Sequence, residues 1–138
     1  MMRPRLMPLA AAVILGLPLL SCRKTGQGRN LHDRIIAADT LKYCRMPDAC
    51  FNPHVLAVEN GYYLTIFLGS KPQYEHVPAK ELAKYLLLIP MQSWPRGPSI
   101  TVSPTDDVVD QNAVQRNFIA AQQLCRSMGL DVQVRFGG

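Results

Sequence analysis

Three aspartates crowd the run DDVVD: Asp106, Asp107 and Asp110. Carboxylate oxygens at that density could hold a divalent cation. Aspartates just ahead of a helix also accept hydrogen bonds from its unpaired N–H groups and suit its positive end. A helical pattern follows directly, so capping is the favoured role and a metal site the alternative. The histidines His32, His54 and His76 stand in separate segments, none beside an obvious nucleophile. No G-x-S-x-G, H-E-x-x-H or phosphate-loop pattern occurs. Pairing His54 with Cys50 or Cys125 would make a histidine–cysteine dyad, and His54 near Cys50 a fragment of a zinc site. No C-x-x-C or paired-ligand spacing supports the latter. The expectation is a non-enzymatic protein with no cofactor.

The cysteines and the lone tryptophan carry more information. Cys44 and Cys50 bracket CRMPDAC, a polar loop with Met46-Pro47-Asp48 at its centre. An exported chain meets oxidising conditions, and the closeness of these two makes Cys44–Cys50 the default disulfide. A loop that small gains roughly 2 kcal/mol from the bridge. Cys125 falls on the apolar face of an expected helix and reads as a small buried residue; its pairing with either of the others stays open. Trp94 lies among Pro90, Pro95 and Pro98. An exposed tryptophan there would suit a binding hot spot; the alternative is a ring folded back as a lid on the core.

An address precedes all of this. Met1-Met2-Arg3-Pro4-Arg5 is cationic, and Leu6 to Leu20 is uncharged but interrupted by Pro8, Gly16 and Pro18. A membrane span wants roughly 20 apolar residues. A cationic head, a short apolar middle and a small exit residue mark a secretory signal. Leu19-Leu20-Ser21-Cys22 resembles the bacterial lipobox, which implies a signal peptide over 1–21, a diacylglyceryl thioether (and palmitate) on Cys22, and an exported, membrane-anchored lipoprotein facing the periplasm or cell exterior. An ordinary signal or an uncleaved short anchor are the alternatives. Two or more acyl chains hold a protein stably at a bilayer. Residues 22–30 read as the lipidated cysteine and a tether rich in glycine and cations.

The remainder, 31–138, is the length of one domain. The chain's net charge is +5. Arg3 and Arg5 leave with the signal, and Arg23, Lys24 and Arg29 sit in the tether. The folded part is thus near neutral, and a nucleic-acid partner has no support. Helical spacing of Leu31, Ile35 and Ala38 predicts a short helix from about 31 to 42. Val55 to Glu59 and Tyr62 to Leu68 flank Asn60-Gly61, a hairpin signal in which both turn residues would take positive φ. Gly69 to His76 reads as a loop. Val77-Pro78 opens a helix with Leu82, Tyr85, Leu86 and Ile89 as its buried stripe, ended by Pro90. Ile100 and Val102 mark a strand. Val114, Phe118, Ala121, Cys125 and Met128 form one face of a longer helix, stopped by Gly129. Val132, Val134 and Phe136 alternate with polar residues in a last strand. The fold class is α+β: a small mixed sheet, built from a β-hairpin and then strands alternating with helices, with a short N-terminal helix and with helices mainly on one face.

Across Val55 to Phe136 the signals ENGYYL, VPAKELAKYL, ITVSPTDDV and GLDVQVRF resemble the periplasmic domain of the ExbD/TolR family of proton-motive-force coupling proteins. That resemblance implies the same fold and a habit of binding envelope partners, with homodimers among the assemblies it allows. It does not imply proton coupling, because no acid precedes Asp33. The expected function is a lipid-anchored binding module for another envelope protein or for peptidoglycan, as a transport accessory. A small-molecule or metal carrier using Asp106, Asp107 and Asp110 is the alternative, and a hydrolase with a dispersed site a third.

Overall fold

The computed structural model describes residues 31–44, 50–107 and 110–136. The signal segment, Cys22, the tether, the Met46-Pro47-Asp48 turn and the two terminal glycines lie outside the described residues. A helix over 31–37 (α1) comes first, followed by a 3-10 turn at Thr40–Tyr43. Strands β1 (His54–Val58), β2 (Gly61–Leu68) and β3 (Lys71–Pro78) follow. A 3-10 turn leads into α2 (Leu82–Leu88), then come β4 (Ser99–Pro104), α3 (Gln111–Ser127) and β5 (Asp131–Val134). The expected α+β class with a mixed sheet is what forms. Its strand order is β3-β2-β1-β4-β5. The first three strands make an antiparallel meander, while β1–β4 and β4–β5 are parallel.

The alternation of side chains across a strand separates two unlike faces. Val55, Ala57, Tyr62, Leu64, Val77, Ile100 and Val102 supply the strand side of the core, and all lie on one face. Leu31 and Ile35 of α1, Leu82 and Leu86 of α2, and Val114, Phe118, Ala121 and Cys125 of α3 complete the same cluster. The opposite face carries half-buried or exposed side chains, among them His54, Tyr63, Thr65, Phe67 and Tyr74.

Local rules explain where α3 starts and stops. Asp110 accepts a hydrogen bond from Ala113 N at 3.1 Å, so the expected cap forms. At the other end Gly129 takes φ 82°, Leu130 N donates to Cys125 O, and Gly129 N donates to Arg126 O. This is a Schellman closure, and the buried Leu130 supplies its apolar contact. Asn117 on this helix donates through Nδ2 to Val58 O at 2.8 Å and accepts, through its own carbonyl, from the Tyr62 hydroxyl at 2.8 Å. Those bonds pin α3 to the β1–β2 turn.

Three expectations need correction. Gly69 to His76 is no loop: Lys71–Pro78 pairs with β2 along its whole length. It is an edge strand, exposed except at Val77, so it shows no apolar alternation, and Pro72 is tolerated at an edge. In the hairpin Val58 pairs with Gly61, which leaves Glu59 and Asn60 as the turn residues. Only Gly61 has positive φ there, at 140°. A Cβ at Gly61 would run into Val77 O and stand 3.2 Å from Pro78 Cα. The glycine is therefore a packing requirement of the β2–β3 pair. Finally, α1 ends at residue 37, because Asp39 turns left-handed with φ 50° and redirects the chain into the 3-10 turn.

Candidate functional site

A cleft of about 500 Å³ opens where β1 and β4 begin and β2 ends. Register explains its floor. His54 on β1, Thr101 on β4 and Gln133 on β5 stand in one cross-strand row on the face away from the core. Phe67 lies two residues along β2 from Thr65, which pairs with His54, and Arg135 two residues along from Gln133. The rim is supplied by Phe51 and Asn52 from the segment after the disulfide, and by Arg96 from the proline-rich connection.

The rim is braced by polar bonds. Asn52 Nδ2 donates to Gly97 O at 2.8 Å and to Ser99 O at 2.7 Å, while its Oδ1 accepts from Arg96 N at 2.8 Å. Pro95 and Arg96 are the central residues of a turn closed by Gly97 N donating to Trp94 O at 3.0 Å. Proline suits the first central position because its φ is already set. Arg96 Nε donates to Cys50 O at 2.7 Å. Cys50 is bonded to Cys44 with their Cα atoms 5.4 Å apart, so the expected disulfide is present. Ser93 Oγ donates to Phe67 O at 2.9 Å, and the rings of Phe51 and Phe67 stack with centroids 4.8 Å apart. Side chains held this way lose little freedom when a ligand arrives.

His54 is the titratable centre. Its Nε2 lies 3.0 Å from Ser103 Oγ. Burial, and then the nearby Arg135 charge, hold its pKa below the usual imidazole value. The pair does not make a nucleophile with its base: Ser103 is 1% exposed, so an incoming carbonyl has no path to it. The dyad with Cys125 does not form either. Cys125 is buried in the core on the far side of the sheet, and burial pushes its thiol up to about 12. Cys125 carries no disulfide, as expected of a small buried residue. Cys50 shares the cleft with His54, but its sulfur is committed to Cys44.

The other sequence candidates scatter. Trp94 is 0% exposed and belongs to the core, so the exposed hot-spot reading is corrected in favour of the core lid. Trp94 Nε1 is the buried side-chain polar atom without a hydrogen bond among the described residues. Asp110 is occupied by capping, Asp106 and Asp107 are exposed, and no group of three or more His, Cys, Asp or Glu side chains gathers among the described residues. His32 contacts Asp33, and His76 sits 3.1 Å from Asn60 Oδ1 with Tyr63 edge-on to its ring. The residues the sequence did not single out are Phe51, Asn52, Phe67, Arg96 and Arg135. They come from separate segments, which the sheet register and the bonds of Arg96 to Asn52 and Cys50 bring together.

No helix among the described residues is long and apolar enough to cross a membrane. No protein-family model, curated protein or solved structure matches the chain.

Proposed function

We propose that this chain is a lipid-anchored cell-envelope protein whose α+β domain binds another envelope protein, or peptidoglycan, close to the membrane and performs no catalysis. The observation that carries this reading is the sheet face turned away from the core. It presents Tyr63 and Tyr74, the latter 72% exposed, together with Phe51 at the rim of the cleft. Exposed aromatics on a rigid sheet are the residues that dominate protein recognition. The lipobox resemblance at Leu19–Cys22 supports the address, and the disulfide suits an oxidising compartment. The ExbD/TolR-like order of elements supports a place beside an envelope transport complex.

A photoreactive residue replacing Tyr74 should crosslink a partner in intact cells, whereas the same residue replacing Arg116, exposed on α3, should not. Equal capture from both positions, or none from Tyr74, would remove the sheet face as the binding surface. The acidic turn offers no comparable support for a metal carrier, because Asp110 is already used by the helix.

A further inference from the structure

We infer that the cleft beside His54 takes a small organic anion, its carboxylate or phosphate held by Arg96 and Arg135 and its apolar body laid against Phe51 and Phe67. This goes beyond the recognition of a macromolecular partner; the two readings share only the exposed Phe51.

The first is charge. The described residues that line the cleft include two guanidinium groups and no carboxylate. Among the described residues neither arginine forms an ion pair; the pairs there are His32–Asp33 and Lys84–Glu81, both elsewhere. Arginine is usually pulled to whatever carboxylate is near, and its planar fork fits two oxygens of one anion. Two arginines on one concavity, with no acid among its described lining residues, set up a positive field there.

The second is pre-organisation. Arg96 Nε is held by Cys50 O, its backbone N–H by Asn52, and its turn by Pro95. Its terminal nitrogens are left to meet a ligand. Arg135 leaves β5 with its backbone N–H bonded to Val102 O at 3.1 Å, which fixes the root of the side chain. The field reaches His54, whose protonation Arg135 disfavours.

The third is the apolar half. Exposed charges alone give weak binding, so an inorganic ion would be held poorly. The Phe51–Phe67 pair, its rings tilted by 35°, adds an apolar wall to the same cleft, with Phe51 still 46% exposed and able to bury area on a ligand. Apolar area removed from water then supplies what charge alone does not.

Isothermal titration of the full chain, purified in a neutral detergent, tests this with phenyl phosphate and benzoate as probes. Saturable binding of at least one is expected, at least tenfold tighter than that of inorganic phosphate. Arg135→Gln should weaken it at least tenfold, Arg135→Lys should restore part of the loss, and Arg116→Gln on the far helix should leave it unchanged. Among the described residues Arg135 makes no hydrogen bond or ion pair through its side chain, so the variants should fold, which an unchanged unfolding midpoint verifies. Absence of saturable heat, equal affinity in Arg135→Gln, or inorganic phosphate binding as well as phenyl phosphate would each overturn the proposal. Binding only to phosphate presented on phosphatidylglycerol vesicles would overturn the small-molecule assignment. None of these outcomes depends on the crosslinking from Tyr74, so the two readings fail separately.

Discussion

Trp94 and His54 differ in what burial does to them. Trp94 fills the core with an indole whose N–H has no partner among the described residues. Truncating a buried aromatic costs about 3–5 kcal/mol, but an unpaired buried N–H already costs the native state about 1–3 kcal/mol. Trp94→Ala should therefore be strongly destabilising, while Trp94→Phe, which keeps most of the ring and removes the orphan donor, should cost far less. Urea unfolding midpoints of the two variants check this, and equal losses would show that the N–H is satisfied in solution. For His54 the sign runs with pH. Its pKa is lowered in the folded protein by burial and by Arg135, so the unfolded chain binds its proton more readily. His54 then contributes stability above the ordinary imidazole value of 6.5, and that contribution is lost as pH falls below it. His54→Gln should flatten the slope of stability against pH just below 6.5, as read by unfolding at a series of pH values. Arg135→Gln should raise the His54 pKa, observable in its imidazole proton shifts.

At the scale of elements, the glycines separate sterics from conformation. Gly61 has positive φ and no room for a Cβ, whereas Gly69 has φ 67° with open space around it. Gly69→Ala should cost about 1–2 kcal/mol from the left-handed backbone alone. Gly61→Ala should cost clearly more, because it pushes β3 from β2; thermal unfolding of both variants compares them directly. The same pair of strands shows where sequence reading works and where it stops. Helices α2 and α3 were legible because each buries one stripe, and Leu82, Leu86, Val114, Phe118 and Cys125 repeat at helical spacing, but α2 starts at Leu82 and not at Val77-Pro78, which finish β3. Strand β4 was legible because Ile100 and Val102 face one way, and β1 because it is a β-prone run beside Asn60-Gly61, although its Leu56 and Val58 face away from the core. An edge strand such as β3 escapes this logic, since both of its faces meet water and its sequence looks like a loop. The cleft escapes it too. Arg96 and Arg135 are unremarkable as separate letters; the bonds of Arg96 to Asn52 and Cys50, and the β4–β5 register that leads to Arg135, set them around one opening. The one local hint was the disulfide, which places Phe51 and Asn52 beside a fixed point.

For the whole molecule, address and architecture make linked predictions. Cys22→Ala should abolish fatty-acid labelling and leave the precursor uncut; wild-type protein that takes up no labelled palmitate in a lipidating host would refute the lipobox. Alkylation should find Cys44 and Cys50 protected until reductant is added, and Cys125 protected until the fold opens, because its thiol lies in the core. Burial of Trp94 has one more outcome, which belongs to optics. It is the sole tryptophan in the chain, and it is sealed from water. The native protein should thus emit at short wavelength and resist quenching by acrylamide. Unfolding should shift that emission to the red in a single step, and the molecule carries its own gauge of whether its core is closed.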